Sequence, residues 1–365
     1  MEVNRERNRN DEFDKGAVLS VSGNYGIVNQ IQLLGRSFAG SSVKDYHVVR
    51  KGNIVYTKSP LKEYPYGIVK VNKGNEGIVS TLYAVYNVKH NAVGGFIESY
   101  FALPKRTNRY FKPIVRIGAK HDMKIGNEEA IANIVCFPSH AEQRKIAAFL
   151  SLLDQRISIQ NKIIEKLETL IKGIVELAFS HAATSNTLGC HITQISQRNK
   201  NGKDLPVLSV SNKYGFVEQS EQFEDRIIAS DDTSNYKIVS INDFAFNPAR
   251  INVGSIARLK DKECGIVSPM YICFRTSKDI LPEYLELFFK TVTFSSEVGK
   301  RLEGSVRLCL SFESLCEIVI PVISIREQQS LVKMATAFYS KLDVEKGILR
   351  SYQSQKQYLL SQMFI

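Results

Sequence analysis

Two stretches of the chain carry apolar residues at steps that alternate between four and three. The first runs Ile146, Leu150, Leu153, Ile157, Gln160, Ile164, Leu167, Ile171, Ile174, Ala178. The second runs Leu331, Ala335, Phe338, Leu342, Glu345, Leu349, Tyr352, Lys356, Leu359, Met363. This is heptad spacing, and it predicts two long helices with one apolar stripe each. Each spans about 38 residues, or about 57 Å at 1.5 Å per residue. Such a stripe needs a partner to cover it, and the other helix is the nearest candidate.

Outside the helices the pattern changes to short runs rich in Val, Ile, Tyr and Phe. NIVYT (53–57), GIVKV (67–71) and LYAVYNV (82–88) read as strands separated by Gly and Asn. The stretch from Pro282 to Phe289 keeps helical spacing and opens on proline, which suits a first helical turn.

The same text is also written twice. VLSVSGNYG (18–26) returns as VLSVSNKYG (207–215), GIVS (77–80) as GIVS (265–268), and YAVY (83–86) as YICF (271–274). Each copy closes on a proline, Pro138 or Pro321, followed by Glu142-Gln143 or Glu327-Gln328 and a long helix. The predicted fold class is therefore α+β. Two similar globules (1–137 and 182–320) are separated by two long helices (138–181 and 321–365) that form an antiparallel coiled coil with a pseudo-two-fold repeat. In that arrangement Gln160 and Glu345 occupy equivalent seam positions at the crossing point. Either they meet and fix the register, as buried polar seam residues can, or each is an exposed imperfection. The sequence leaves both readings open.

Composition narrows the partners. The net charge is +11 over 365 residues, which favours a polyanion without reaching histone-like basicity. The excess is uneven: residues 1–137 hold 20 Lys/Arg against 12 Asp/Glu, and residues 181–321 hold 16 against 17. The six cysteines form no CxxC pair, which argues against a zinc site or disulfide framework and for reduced thiols in the cytoplasm. No apolar run reaches the roughly 18 residues of a membrane span, and the N-terminus has no signal-peptide core.

The repeated unit of globule plus long helix resembles the specificity subunits of type I restriction–modification systems. The resemblance rests on the helix starts (proline, then Glu142-Gln143 or Glu327-Gln328) and on the steps Leu153-Asp154 and Leu342-Asp343. It rests also on the helix endings (Leu170 to Phe179, Gln357 to Phe364), on Phe246 to Ile256 and on Leu308 to Glu313. The second globule opens with Leu188-Gly189-Cys190-His191-Ile192-Thr193, a lead-in usual in that family. The first globule starts at Met1 without it, so a truncated lead-in is expected there.

What the resemblance implies is a DNA-binding subunit that is not itself an enzyme. Each globule would be a target-recognition domain reading one half of a split site in double-stranded DNA. The helices would set the gap between halves and dock two methyltransferase subunits, with a restriction/translocase subunit as a further partner. The chain itself would need no cofactor or metal; S-adenosylmethionine and ATP would serve the partner subunits.

Reading DNA requires cations for phosphates and polar side chains for base edges. In the second globule Asn247, Arg250 and Asn252 cluster at a strand exit, where Arg suits guanine and Asn suits adenine. The matching region of the first globule offers Lys58, Lys62 and Tyr64. Lys105, Arg106, Arg109 and Lys112 form a basic run, and Arg301 and Arg307 lie late in the second copy. Taken singly, each is more often a solvated surface charge than a DNA contact.

Enzyme readings find little support. Asn247-Pro248-Ala249-Arg250 lacks the second proline and the aromatic of an amino-methyltransferase signature. There is no GxxxxGK[ST] loop and no HExxH pair. Lys260-Asp261-Lys262-Glu263 reads as an exposed turn rather than a magnesium site. Two other classes remain: the recognition half of a catalytic fusion, and a scaffold that organises proteins through its coiled coil.

Overall fold

Residues 1–61, 63–118, 123–180, 184–218, 233–304 and 307–364 are described by the structure, a computed structural model. The chain divides into two compact units. Unit 1 comprises residues 1–162 and 347–365, and unit 2 comprises residues 163–346. The boundaries cut through both long helices, so each unit contains one globule and a part of each helix.

In unit 1 the strands are β1 (Glu2–Val3), β2 (Leu19–Ser22), β3 (Gly26–Asn29), β4 (His47–Val49), β5 (Ile54–Thr57), β6 (Val69–Val71), β7 (Gly77–Val79), β8 (Tyr83–Asn87), β9 (Arg116–Ile117) and β10 (Met123–Lys124). The helices are α1 (Gln30–Leu34), α2 (Gly94–Tyr100), α3 (Pro104–Phe111) and the long α4 (His140–Ser180). An antiparallel sheet of order β1-β8-β5-β6 forms the centre. β5 is buried on both faces. Ile54 and Tyr56 face α2 and α3, whereas Val55 faces Val49, Val79 and Val85. That double burial is why IVYT reads as a continuous apolar run rather than an alternating one.

Unit 2 holds β11 (Ser185–Thr187), β12 (Ile192–Ile195), β13 (Val207–Ser211), β14 (Gly215–Glu218), β15 (Lys237–Ser240), β16 (Phe244–Phe246), β17 (Ile256–Arg258), β18 (Cys264–Val267), β19 (Ile272–Thr276) and β20 (Val319–Pro321). Its helices are α5 (Pro282–Phe288), α6 (Val292–Lys300), α7 (Phe312–Cys316) and the long α8 (Ile325–Met363). The central sheet has the order β12-β19-β16-β17, matching the order in unit 1 strand for strand.

The two units repeat one fold, down to single residues. The hairpin β2–β3 pairs Ser22 with Gly26, and β13–β14 pairs Ser211 with Gly215. Each hairpin touches the following GIV strand in parallel, through Val18 and Ile78 or through Val207 and Ile266. A side chain on Gly77 would lie 2.3 Å from the carbonyl oxygen of Ala17, and one on Gly265 would lie 2.4 Å from Leu208 Cδ1. Close approach of the neighbouring strand, not a turn, explains the repeated glycine of GIVS.

The lead-in of the second globule is a strand and a turn. β11 pairs with β20, and Leu188 is fully buried. In unit 1, β1 pairs with β8 as β12 pairs with β19, so the edge strand is present. Residues 134–138, in the place of β20, have no strand partner among the described residues.

Both long helices begin with a capping box. Ser139 and Glu142, and likewise Ser324 and Glu327, exchange hydrogen bonds across the first turn. Every seam position of the heptad pattern is buried or half-buried. In unit 1, Leu150 and Leu153 share a core with Leu360 and Phe364, and Asp154 pairs with Lys356, so the two helix segments run antiparallel. That ion pair accounts for a lysine in an apolar seam. In unit 2, Glu168 pairs with Lys346 at 2.7 Å, and Phe179 packs on Tyr284 and Phe288. Gln160 and Glu345 are each 7% exposed, so neither is a solvent-facing imperfection. No described helix is long and apolar enough to cross a membrane.

Candidate nucleic-acid interface

The strand exits singled out in the sequence are built on one frame. After β5, the Thr57 amide donates to the Ile68 carbonyl at 2.9 Å, and Gly67 closes the loop at φ +85°. After β16, the Asn247 amide donates to the Ser255 carbonyl at 3.0 Å, and Gly254 closes the loop at φ +87°. The described residues 58–61 and 63–66, and residues 248–253, are held between these fixed ends, and the two loops share no sequence. A constant frame with variable contents is what a reading loop on a rigid scaffold requires.

Each loop abuts the repeated hairpin. In unit 1 the ring of Tyr64 lies against Gly23, leaving 2.9 Å to where a Cβ would stand. In unit 2 Gly254 faces Asn212, which occupies the position of Gly23. The two hairpin tips are alike. Ser22 Oγ accepts the amides of Asn24 and Tyr25, and Ser211 Oγ accepts those of Lys213 and Tyr214, all at 3.3 Å. The next residue is a glycine at positive φ, Gly26 at +76° and Gly215 at +73°, which closes the hairpin. Tyr25 and Tyr214 are thereby held 72% and 69% exposed. Lys213 sits over the Tyr214 ring at 5.0 Å. Sequence reasoning treated this repeat as a mark of the fold. The signal it passed over was a large aromatic displayed to solvent twice.

The candidate side chains fall into three groups. Lys105 and Arg109 on α3 and Lys112 at its C-terminal cap are exposed, and Arg250, Asn252 and Arg307 are exposed in unit 2. The turn carrying Arg307 is joined to the Asn247–Arg250 loop, because the Leu310 amide donates to the Pro248 carbonyl at 3.1 Å. The loop carrying Arg250 and Asn252 thus meets the Arg307 turn at one end and the hairpin of Tyr214 at the other.

A second group is committed to the fold. Arg106 donates to the carbonyls of Leu360 and Phe364 and stacks over the rings of Tyr100 and Phe364, so it caps the last turn of α8. Asn247 is buried, and its Oδ1 accepts the Ala249 amide at 3.1 Å, an Asx turn that shapes the loop. Arg301 pairs with Glu297 one helical turn back and lies 3.8 Å from Glu317. These three were expected to face DNA; the structure uses them internally.

The third group is intermediate. Lys58 is half-buried with its Nζ on Asn127 Oδ1 at 3.1 Å, and burial followed by Arg7 lowers its proton affinity. Tyr64 is half-buried, and burial raises its phenol above the ordinary value. Lys62 lies outside the described residues.

Unit 2 also has a groove of about 580 Å³ beside its hairpin, lined by Lys213, Tyr214, Arg258, Lys260, Lys262 and Lys290 among others. Apart from Lys213, its cations are matched by carboxylates. Lys262 pairs with Glu218; Arg258 pairs with Glu283 and Glu286; Lys260 and Lys290 pair with Glu286. Burial pushes the Glu286 carboxyl up, but Lys290, Lys260 and Arg258 outweigh it and hold it below the ordinary range. Among the described residues no cluster of His, Cys, Asp and Glu could hold a metal ion.

Solved structures share this arrangement over its whole length. The type I restriction–modification S subunit of M. genitalium matches 100% of this chain and 93% of its own, with a TM-score of 0.59 and 16% identity. The fold is that of a type I specificity subunit. A chain from a type I restriction–modification system, described for its complex assembly and conformational transition, matches 100% of this chain and 95% of its own. Its TM-score is 0.56 and its identity 14%. No family model and no curated protein matches the sequence.

Proposed function

We propose that this chain is the sequence-reading subunit of a type I restriction–modification complex. Each globule reads one half of a bipartite site in double-stranded DNA. The loops 57–67 and 247–254 supply the sequence-dependent contacts, and the hairpin tips beside them supply the contacts common to both halves. The exposed cations Lys105, Arg109, Lys112, Arg250 and Arg307 anchor phosphates, and Asn252 is placed to reach a base edge. Arg106, Asn247 and Arg301 support the surface from behind.

The observation that carries this reading is the pair of loops with one frame and unlike contents, each set against a tyrosine-bearing hairpin. Two such heads on one chain fit a target with two unlike halves.

The long helices serve as the ruler between half-sites, with Gln160 and Glu345 fixing their register, and they dock two methyltransferase subunits. A restriction/translocase subunit completes the assembly in the cytoplasm. Methyl transfer and translocation belong to those partners, with S-adenosylmethionine and ATP as their cofactors, and this chain is not a catalyst.

Methylome mapping with the cognate methyltransferase co-expressed tests the reading. The expected result is a split adenine-methylation motif with a fixed gap, in which replacing residues 1–137 changes one half only. A contiguous motif, or no motif, would overturn it.

A further inference from the structure

Unit 1 has a cleft of about 450 Å³ lined by Asn4, Arg5, Arg7, His47, Asn127 and Glu128 among others. Lys58 reaches its rim through Asn127. Arg7 is fixed by a bridge to His47 in the sheet, and its guanidinium donates to the Asp45 carbonyl at 2.8 Å. The hydrogen-bond partners of Arg7 and Lys58 are thus both neutral, and neither cation meets a carboxylate among the described residues. Neighbouring cations are matched: Arg5 pairs with Glu128, and Arg50 with Glu6, Glu12 and Glu76. His47 is 2% exposed, and its Nδ1 is buried without a hydrogen-bond partner.

Arg7 and an imidazole with an orphaned nitrogen therefore line one concavity, with Lys58 held at its rim. Their mutual repulsion is visible in their proton affinities. Burial, then Arg7 and Lys58, brings His47 down to about 4. A neutral imidazole can still donate from Nδ1 when the proton sits there. An anion between these groups would relieve the repulsion and satisfy the nitrogen.

We infer that this cleft binds a phosphate group, with Arg7 and Lys58 as charged contacts and His47 Nδ1 as a hydrogen-bond donor. On the DNA-reading function proposed above, the phosphate is a backbone phosphodiester beside the half-site read by loop 57–67. Unit 2 does not repeat the cluster. Arg198 takes the place of Arg7 and bonds to Asn235, Lys237 takes the place of His47 and bonds to the Tyr271 carbonyl, and Pro248 takes the place of Lys58. The site is private to the globule that carries the surplus of basic residues.

The test has two arms. In the first, the full chain labelled at histidine is titrated with inorganic phosphate at constant ionic strength, with His47→Gln identifying the resonance. The His47 ring signals should shift saturably, and Lys58→Gln, which keeps a polar partner for Asn127, should weaken the response roughly tenfold. No shift, or an equal response in the variant, overturns the site. In the second arm, the chain assembled with its methyltransferase binds a duplex carrying the mapped site. Lys58→Gln should reduce the slope of log K against log salt by about 0.9 while leaving sequence preference unchanged. Sequence-specific binding with an unaltered slope would remove the phosphodiester assignment and leave the proposed function standing. A phosphate response without sequence-specific DNA binding would do the reverse.

Discussion

Gln143 and Gln328 make the same three hydrogen bonds in the two units. Gln143 Oε1 accepts the Val93 amide at 3.0 Å, and its Nε2 donates to the carbonyls of Asn91 and Pro138 at 3.3 and 3.0 Å. Gln328 Oε1 accepts the Leu281 amide at 2.8 Å, and its Nε2 donates to Asp279 and Ile323 at 3.0 and 2.9 Å. Both side chains are buried. Each ties the first turn of a long helix to the loop that starts a helix of its globule. Replacing either with leucine strands a buried amide and two carbonyls, at a cost of about 1–3 kcal/mol for each group left unsatisfied. Gln143→Leu should destabilise unit 1 and Gln328→Leu unit 2. Hydrogen exchange resolved along the chain checks this through loss of protection confined to one unit.

The two GIVS glycines differ in how a methyl group would be received. At Gly77 the obstacle is the backbone oxygen of Ala17, which cannot move without breaking the strand contact. At Gly265 it is chiefly the end of the Leu208 side chain, with the Pro206 carbonyl oxygen further off at 3.1 Å. Gly77→Ala should therefore lower the unfolding temperature more than Gly265→Ala. Thermal denaturation of the two variants decides it; equal losses would mean that backbone rigidity is not the controlling factor.

Much of this fold was legible because burial leaves a periodic trace. The heptad positions predicted from 146 to 178 and from 331 to 363 are all buried or half-buried, and Pro282 opens α5 as its position suggested. The reading surface was less legible, for reasons specific to each residue. Arg106 looks like one member of a basic run, yet helical rotation turns it away from Lys105, Arg109 and Lys112 and onto the end of α8, far along the chain. Asn247 has the right chemistry for adenine but sits where the chain must turn, and the turn takes its oxygen. Arg301 did carry a local warning in Glu297, at helical spacing. Tyr25 and Tyr214 were hidden by their repetition, which fits a shared fold as readily as a shared contact.

Those two tyrosines give the next prediction. Both are largely exposed and make little packing contact, so Tyr25→Ala and Tyr214→Ala should leave stability within about 0.5 kcal/mol of the parent. If the tips hold the DNA backbone beside each reading loop, each substitution should slow methylation by the complex about tenfold while preserving both halves of the motif. Methylation rates on the mapped site, set beside a repeated methylome, check both parts. A changed motif would mean that the tyrosines read bases, and an unchanged rate would remove the tips from the interface.

His47 makes stability depend on pH in a defined window. Its folded value, near 4, lies below the roughly 6.5 of an unfolded histidine. Between these values the unfolded chain binds the proton and the folded chain does not, so protons favour unfolding. The contribution of this residue is fully present above about pH 6.5 and is lost as pH falls toward 4. His47→Gln should flatten that part of the stability curve for unit 1. Denaturant titrations of parent and variant at several pH values across the window test it, and parallel curves would show that His47 takes up its proton alike in the folded and unfolded chain.

The helix seam offers a test of register rather than of strength. Gln160 and Glu345 are buried at equivalent positions, and Glu345 also holds Lys341 at 2.6 Å. Leucine at both sites would add apolar burial worth about 1.5–3 kcal/mol per side chain, so stability alone should rise. Buried polar groups in such seams earn their place by penalising wrong alignments, because a shifted partner leaves them unsatisfied. In the double variant that penalty vanishes, and a slip by one heptad sets leucine against other apolar seam residues at little cost. The expected outcome is a protein that melts higher but spaces its half-sites less strictly, read as methylation of sites whose gaps differ from the parent's. Higher stability with an unchanged, single gap would show that the flanking pairs, Asp154 with Lys356 and Glu168 with Lys346, hold the alignment without them.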